Sequence, residues 1–456
     1  MSISELIDAS LVEEVGNTTL GNVSVPALLA AAADTAGAAY SSVQAVEYEL
    51  SSSGAATVEE DWGDGETLAA FNQMLAQNEK TDTVWILKRS AAVATVKTMT
   101  FSGPLSTGHG VSFVINGQTG SVTYATSNAA TLTALAAAIQ ALDGINTASS
   151  NGTDTITITG DAEWPLSVSA STSGTTPPTV TIATTTAGNH AADDVAAALA
   201  EEATNKWYGL AAVDTDNGVI LSAAAGVEGN RKFFWFRTNE AGAKSNGDTT
   251  NIASYIAAKN YRCSLGFWTA TLDEYINAAA MVHYFATPPG QIALANSHLQ
   301  GVTADTLTAS EVSTLKARYM NTYRSFSPTD SAFDLVRDGV RSDGKRAEAT
   351  RDLDYLLNEI EVEGLLFSVS SKKPTYDQPG LDTWRSSLVQ LAQRMGNEGV
   401  LRTDAEADQS IEVIVPKFAD INPSNKALFK FAGCRILGQL KNGVLQVDAT
   451  AEVRIV

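Results

Sequence analysis

Continuous apolar runs, rather than alternating ones, predict four strands in the chain. The runs are TVWILK (83–88), KWYGLAAV (206–213), RKFFWFRT (231–238) and YRCSLGFW (261–268). A strand that helices cover on both faces is apolar on both faces, so its sequence does not alternate. Helical stretches separate these runs, and this order predicts a mainly parallel α/β sheet.

Apolar positions at helical spacing predict the remaining elements of this core and a different C-terminal part. Helices are predicted before and between the strands, at 66–77, 193–204, 219–227, 252–260 and 272–286. After Pro288–Pro289 the pattern predicts three longer helices, at 308–324, 346–369 and 379–395. In the last of these, Pro379 suits the first turn. Its predicted buried stripe is Leu381, Trp384, Leu388, Leu391 and Met395.

Residues 97–190 differ from the sequence on either side of them. Their only Lys or Arg is Lys97, and their acids are Asp143, Asp154, Asp161 and Glu163. Two alternating segments flank a GQTG turn, a helical run covers 130–142, and DTITITG and WPLSVSAS give two more strands. The segment is therefore predicted to be a small β-rich domain with one helix, inserted into the α/β core.

The C-terminal residues carry the strongest local signal, a predicted β-hairpin. CRILGQL (434–440) and VLQVDATAEVRIV (444–456) flank Asn442-Gly443, a pair that tolerates the positive φ of a tight turn. One face of the second strand carries Ala449, Ala451, Val453 and Ile455. The first strand is too short to pair beyond about Ala449. This end therefore pairs either with another sheet or with an earlier strand such as IEVIVPKF (411–418).

Composition and charge narrow the classes of partner. The 456 residues suggest about three domains at roughly 150 residues each. The net charge of −21 would repel nucleic acid and anionic membranes. Most of this charge lies in residues 1–300, with 11 basic and 29 acidic residues, whereas residues 301–456 hold 19 and 22. Residues 417–441 are locally basic, which indicates either a solvated face or a contact for an acidic partner.

No segment has the features of a secretory signal or of a membrane span of ~18 apolar residues. Cys263 and Cys434 lack metal-binding spacing and are interpreted as small buried side chains. The acidic start of the chain and the absence of a span lead us to expect a protein made in the cytosol.

One motif in the sequence has the spacing of a ligand-binding loop. GVRSDGKR (339–346) has the spacing of a phosphate-binding loop, but Arg346 stands where Ser or Thr would ligate magnesium. The preceding SAFDLVRD does not read as a buried strand, so we interpret the loop as a polar turn. The four histidines are isolated, and DTDNG (214–218) lacks the remaining ligands of a calcium loop. We expect no catalytic residue, no cofactor and no metal.

The order of segments from residue 191 onward resembles the tail sheath proteins of contractile-tailed bacteriophages. The segments are PPGQIALANSHLQGVTADTLT (288–308), a helix ending in Asn321 and Tyr323, DLVRDGVRSDG, RDLDYLLNEI (351–360), PTYDQPGLDTW (374–384) and a closing β-rich part. Tyr355 stands where the family usually has Trp. The resemblance covers residues 191–456 well and the first 95 loosely.

The resemblance implies a multidomain α/β and α+β structural protein. Its implied parts are an N-terminal arm (1–20), an α/β core (21–96 and 191–370), an inserted β-rich outer domain (97–190), and a helical and β-hairpin domain that faces the tube and ends in a strand arm (371–456). Subunits of this family stack as hexameric rings around a tail tube and contract to drive the tube through the host envelope. Baseplate and tail terminator are further implied partners, and the virion is the implied location after assembly in the host cytoplasm.

The expected contact residues follow from the basic region and the terminal strand. Candidate tube-facing residues are Arg385, Arg394, Lys417, Lys426 and Lys430. Candidate subunit-linking residues are Ala449, Ala451, Val453 and Ile455. Two alternatives stay open: another tail structural protein, of the tube or baseplate, and a nucleotide-binding enzyme that uses residues 339–346.

Overall fold

The computed structural model describes residues 23–34, 44–200, 207–326, 333–370, 375–403, 411–427, 431 and 433–441. Along these residues the strands are β1 Pro26–Leu29, β2 Ala45–Glu49, β3 Thr83–Leu87, β4 Val96–Phe101, β5 Gly110–Ile115, β6 Gln118–Thr123, β7 Ile145–Ser150, β8 Thr155–Gly160, β9 Val168–Ser173, β10 Val180–Thr186, β11 Gly209–Ala212, β12 Phe233–Thr238, β13 Ser264–Trp268, β14 Met320–Phe326, β15 Phe333–Arg337, β16 Glu412–Ile414 and β17 Arg435–Leu437.

The α-helices of the described residues, numbered in the same way, are α1 Ser52–Trp62, α2 Glu66–Leu75, α3 Asn128–Gln140, α4 Ala191–Ala200, α5 Asn217–Glu228, α6 Ala241–Lys244, α7 Ile252–Lys259, α8 Ile276–Ala286, α9 Ala309–Ala317, α10 Ala347–Ser370, α11 Gln378–Asn397 and α12 Pro423–Ala427. Short 3₁₀ helices cover Leu272–Glu274 and Phe418–Asp420.

A sheet of eight described strands forms the core, in the order β15-β14-β13-β12-β11-β1-β3-β2. The neighbours from β14 to β3 pair in parallel, whereas β2 and β15 pair antiparallel at the two edges. Every residue of β12 is buried, as expected for a strand covered on both faces. The predicted α/β class with a mainly parallel sheet is confirmed.

Two apolar clusters lie on opposite faces of this sheet. Leu28 belongs to one cluster, together with side chains of α1, α2 and α8. Ala27 and Leu29 belong to the other, together with side chains of α4, α5, α7 and α9. Because successive side chains of a strand point to opposite faces, the short apolar strand β1 supplies both clusters.

The helix predicted over 308–324 is wrong in its second half. Helix α9 ends at Ala317, and Tyr319 has a left-handed φ of 58°, after which the chain continues as β14. The amide of Asn321 donates to the Gly266 carbonyl (3.1 Å) and the Val340 carbonyl (2.8 Å), which holds this segment beside β13. Pairing with the sheet therefore overrides the local helical pattern.

SAFDLVRD was not expected to form a buried strand, and Phe333–Arg337 is an edge strand, β15, paired antiparallel with β14. One smaller expectation needs correction. The helix predicted over 272–286 is divided at Tyr275, whose φ of 40° separates the 3₁₀ turn Leu272–Glu274 from α8. A left-handed residue interrupts the helix there, which apolar spacing does not reveal.

Residues 96–186 form two sheets and one helix outside the eight-stranded sheet. The described strands join as β10-β4-β8-β7 and as β6-β5-β9, and α3 packs between them. Their apolar cluster, which includes Phe113, Leu135 and Ile156, draws all its members from between Met99 and Ile182. The strands and the helix predicted in this segment are confirmed. We call residues 96–186 the inserted unit.

A buried guanidinium joins three parts of the core. Arg351 in the first turns of α10 is 0 % exposed. It donates to the carbonyls of Val23 (3.1 Å), Tyr284 (2.7 Å) and Thr287 (2.8 Å), and to the Ser24 hydroxyl (2.7 Å). Two of these carbonyls lie at the C-terminal end of α8, where a cation also interacts favourably with the helix dipole. Arg351 thereby fixes the chain before β1, the end of α8 and the start of α10.

Two buried carboxylates follow Arg351 on α10. Asp352 accepts from the Gly290 amide (2.8 Å), and Asp354 accepts from the Tyr208 hydroxyl (2.8 Å). Burial raises the pKa of each carboxyl to about 7. Since an unfolded Asp titrates near ~3.9, the folded protein binds these protons more tightly than the unfolded chain does.

Replacing Arg351 should destabilise the core strongly. In Arg351→Met three buried carbonyls lose their donor, so we expect the free energy of unfolding to fall by about 3–5 kcal/mol in urea titrations. The matched control is Arg385→Met, at an exposed position of α11, which should change the free energy by less than about 0.5 kcal/mol. Equal effects of the two substitutions would show that Arg351 does not hold the core together.

Protonation of Asp354 should make stability depend on pH. Its raised pKa contributes stability that is complete below about pH 4 and is lost as the pH rises through about 7. Wild type should therefore lose more free energy of unfolding between pH 5.5 and pH 8 than Asp354→Asn, which cannot ionise. Urea titrations at both pH values measure this difference, and parallel pH profiles would contradict the assignment.

Candidate assembly surface

The C-terminal part of the described chain is built on α10 and α11, which pack against each other as an antiparallel pair. At one end the Tyr355 hydroxyl donates to Glu398 (3.0 Å), and at the other the rings of Phe367 and Trp384 lie 5.3 Å apart. An apolar cluster fills the space between and beside the helices, with Leu356, Leu391, Met395, Val400 and Leu401 at its centre. The stripe predicted on α11 faces inward, although Trp384 is only half-buried.

A two-stranded antiparallel sheet of β16 and β17 lies against this helix pair. Ile436 packs on the apolar cluster, whereas Ile414 and Leu437 are exposed on the opposite face. Among the described residues neither strand pairs with a third strand, and a single bridge from Leu401 to Leu440 is the nearest further pairing. A sheet of two strands is marginal by itself, so its open edges can accept another strand.

Aromatic side chains attach this small sheet to the helices. The Tyr376 ring lies 5.0 Å from the ring of Phe418 and 5.0 Å from that of Phe431. Phe367 of α10 lies 6.4 Å from Phe431 and also contacts Trp384 of α11. The cluster holds the segments around β16 and β17 at a defined place beside α10 and α11.

Exposed apolar side chains concentrate in this part of the molecule. Five of the nine large apolar side chains that are exposed among the described residues lie here, namely Val362, Leu366, Val369, Ile414 and Leu437. Leu366 and Val369 are 51 % and 64 % exposed. The other four are spread between Val93 and Phe333, so this part of the described chain is the candidate region for an interaction.

Sequence reasoning missed the three of these residues that lie on α10. Val362, Leu366 and Val369 follow one another at spacings of four and three, and therefore share one face of the helix. The sequence did contain a signal for this exposed face. The segment EIEVEGLLFSV has more apolar residues than one helix face can bury against α11 and the sheet.

The basic residues predicted to face a tube occupy this part of the chain but differ in availability. Arg394 donates to Glu359 (2.7 Å), and the Lys426 ammonium donates to the Ala419 carbonyl (2.9 Å). Arg385 and Lys417 are exposed and form no ion pair with the described residues. Arg385 and Lys417 are therefore more available to bind a partner than Arg394 and Lys426 are.

Several predicted contact residues lie outside the described residues. These are Lys430 and the strand residues Ala449, Ala451, Val453 and Ile455. The described end of the predicted hairpin is β17, whose pairing partner is β16 in the segment IEVIVPKF. The alternative pairings of the terminal strand accordingly stay predictions.

The loop at 339–346 stands between β15 and α10, and its charged groups contact one another. The Arg341 guanidinium binds the Asp343 carboxylate (2.6 Å and 3.0 Å), and Arg346 binds Glu348. The Ala347 amide donates back to the Gly339 carbonyl (2.9 Å), where a φ of 61° suits glycine. These contacts are those of a closed polar turn, with β15 at the sheet edge rather than buried before it.

The aspartates of DTDNG serve local contacts. Asp216 caps α5 by accepting from the Gly218 and Val219 amides (2.8 Å and 3.2 Å), and Asp214 accepts from the Ala32 amide (2.9 Å). In the described part of the chain no group of three or more His, Cys, Asp or Glu side chains is arranged to hold a metal ion. No helix there combines the length and apolar content needed to cross a bilayer.

No protein-family model and no curated protein match the chain. The fold does match those of several solved structures. A chain of the anti-feeding prophage baseplate is 10% identical, with a TM-score of 0.52 over 98% of this chain and 99% of that one. A chain of the PVC extracellular contractile injection system sheath in its contracted state is 12% identical, with a TM-score of 0.51 over 97% and 96%. The sheath tail protein of Listeria innocua is 12% identical, with a TM-score of 0.45 over 91% of each chain.

These likenesses concern the fold and extend over nearly the whole chain. The chain shares its fold with proteins of contractile sheath and baseplate assemblies, which confirms the resemblance found in the sequence. Identities of 10–12% carry no residue-level correspondence.

Proposed function

We propose that this protein is the structural subunit of a contractile sheath, which polymerises as stacked hexameric rings around an inner tube and contracts to drive that tube through a cell envelope. The observation that carries the proposal is the shared fold over 97% of the chain with a subunit of a contracted sheath complex. The exposed apolar side chains of α10, β16 and β17, together with sheet edges that pair with no further strand among the described residues, support self-assembly independently. A phage tail, with baseplate and terminator as partners, is the setting we propose.

The parts of the chain have different proposed roles. Residues 21–96 and 191–370 form the sheath core, residues 97–190 an outer domain, residues 1–20 an N-terminal arm and residues 371–456 the tube-facing domain with a strand arm. The apolar cluster that lies wholly between Met99 and Ile182 supports the separate outer domain. Electron microscopy of concentrated protein tests the whole proposal, because a sheath subunit should form hollow tubes.

A baseplate protein is the second candidate function. It is favoured by the likeness to a chain of the anti-feeding prophage baseplate, at a TM-score of 0.52. The same micrographs distinguish the two functions, because a baseplate subunit should form single rings or plates rather than long hollow tubes.

We propose that the strand from Ala449 to Val456 pairs with the β16–β17 sheet of a neighbouring subunit. The edges of this sheet pair with no further strand among the described residues, which supports the idea, and an added strand would place its side chains beside the exposed Ile414 and Leu437. Backbone hydrogen bonds of about 0.5–1.5 kcal/mol each and the burial of alternate apolar side chains would hold such a strand.

Removing that strand should abolish polymerisation without unfolding the subunit. Truncation after Asp448 should give a monomer whose thermal transition matches wild type and which forms no tubes. Val453→Pro should act similarly, because proline lacks the amide donor of a paired strand. Glu452→Pro tests the effect of proline on the backbone one position earlier, and Glu452→Ala tests the loss of a neighbouring side chain. If the truncated protein still forms ordered tubes, or loses its monomer fold, the strand is internal.

Reversing exposed basic charges should weaken binding to an acidic tube. Exposed charge pairs contribute only about 0.2–1 kcal/mol each, so we expect the double variant Arg385→Glu/Lys417→Glu to reduce co-assembly severalfold at low salt. The matched control is Lys259→Glu/Lys80→Glu, which reverses two lysines of the α/β core. This control should co-assemble with the tube as wild type does, because its charges lie away from the proposed tube-facing residues. Sedimentation of sheath with tube measures the difference, and equal co-assembly of both variants would exclude the patch.

A further inference from the structure

The inserted unit is joined to the core by two chain segments that meet in one place. The first runs from β3 to β4, and the second from β10 to α4. They touch at Val93 and Asn189, whose backbones exchange hydrogen bonds of 3.0 Å and 2.9 Å. One antiparallel bridge between two connecting segments forms a narrow hinge, so other contacts must fix the orientation of the inserted unit.

Arg89, at the start of the first segment, supplies those contacts. Its side chain is 1 % exposed. Nη2 donates to both oxygens of Glu163 (2.7 Å each) in the inserted unit. Nε donates to Asp194 of α4 (3.2 Å), and Nη1 donates to Asp214 after β11 (3.0 Å). One buried cation thus binds a carboxylate of the inserted unit and two carboxylates of the core.

The charges around Arg89 are unbalanced. Asp161 and Asp216 add two further carboxylates at this junction, and the positive charge of Arg237 acts on Asp214 together with that of Arg89. Burial raises the pKa values of Asp161, Glu163 and Asp214, and the negative charge of Asp216 raises each of them further. The charge of Arg89 opposes this rise at Glu163 and Asp214. Without Arg89, the carboxylates of the unit and of the core would repel one another across the junction.

Other described residues also make contacts across the junction. The rings of Trp164 and Tyr255 meet edge to face at 5.7 Å, and the Tyr255 hydroxyl donates to Asp143. Gly218 leaves room for the backbone of Glu163, since a Cβ there would lie 2.7 Å from its carbonyl carbon. His190 contacts the Ala162 carbonyl (2.9 Å) and the Thr95 hydroxyl (2.9 Å). Among these described contacts, Arg89 is the one that joins carboxylates of both bodies, so charge balance has a large share in the docking.

We infer that Arg89 is a charge-dependent latch, which holds the inserted unit docked on the core and whose loss releases the unit as a folded body about the Val93–Asn189 hinge. Release follows from repulsion among the carboxylates, so conditions that neutralise them restore docking. The inference concerns the single subunit and does not depend on the proposed sheath function.

The test uses Arg89→Met in the full chain, followed by hydrogen–deuterium exchange. At pH 7.5 we expect amide protection factors at residues 161–164 and 214–220 to fall by about tenfold or more, while β12 and β8 stay protected. Protection should return towards pH 5 as the carboxylates bind protons. It should also return partly at pH 7.5 in Arg89→Met/Glu163→Gln, which removes one carboxylate charge without any change of pH.

A steric control distinguishes a charge effect from simple loss of packing. Gly218→Val should undock the unit by collision with the Glu163 backbone, so neither pH 5 nor Glu163→Gln should restore protection there. The exposed Arg385→Met should leave the junction unchanged. If Arg89→Met stays fully protected at pH 7.5, or if its loss is restored by neither acid nor Glu163→Gln, the latch is wrong.

A further variant decides the question if Arg89→Met does not fold. With Arg89 present, Glu163→Gln still accepts a hydrogen bond but lacks the charge, so the junction should stay docked. Acid neutralises Glu163 in wild type and leaves the buried Arg89 with less opposing charge, so wild type should lose protection at the junction between pH 7.5 and pH 5, and Glu163→Gln should lose less. An unchanged pH dependence would overturn the inference.

Discussion

The burial of Arg351 is the constraint on which the rest of the arrangement depends. A guanidinium with no access to water must have its donors satisfied, and Arg351 finds acceptors before β1 and at the end of α8. Those contacts place the first turns of α10 inside the core. Because α10 is 24 residues long, its far end then carries α11 and the small β16–β17 sheet at a fixed position relative to the core.

Charge and apolar surface are divided between different parts of the molecule. The inserted unit has almost no charge within it, and its acids Asp161 and Glu163 lie where it meets the core. The C-terminal part instead combines exposed apolar side chains with exposed cations such as Arg385 and Lys417. This division fits a subunit that makes its assembly contacts through the C-terminal part while the inserted unit lies elsewhere.

The small sheet of β16 and β17 has little apolar area of its own to stabilise it. Two short strands bury little apolar area, and here they are supported on one face by the α10–α11 cluster and by aromatic contacts of Tyr376 and Phe418. Their other face and their edges remain open among the described residues. A further strand at either edge would satisfy backbone groups and pack its side chains beside Ile414 and Leu437, and would therefore stabilise the sheet.

The sequence by itself determined the class of the core, because strands such as β12 are apolar on both faces and this pattern has few other solutions. It also determined α10, α11, and the helix and four of the strands of the inserted unit, where apolar spacing and turns agree, whereas β4, β7 and β10 were not predicted. Only the tertiary structure decided that 320–326 is a strand, that Arg394 is paired with Glu359, and that Arg89 gathers carboxylates from three segments. Each of these depends on contacts between residues distant in the chain, which local patterns do not encode. The sequence marked the basic residues of the candidate surface, but the packing of α10, α11 and the β16–β17 sheet decided which apolar side chains there face water.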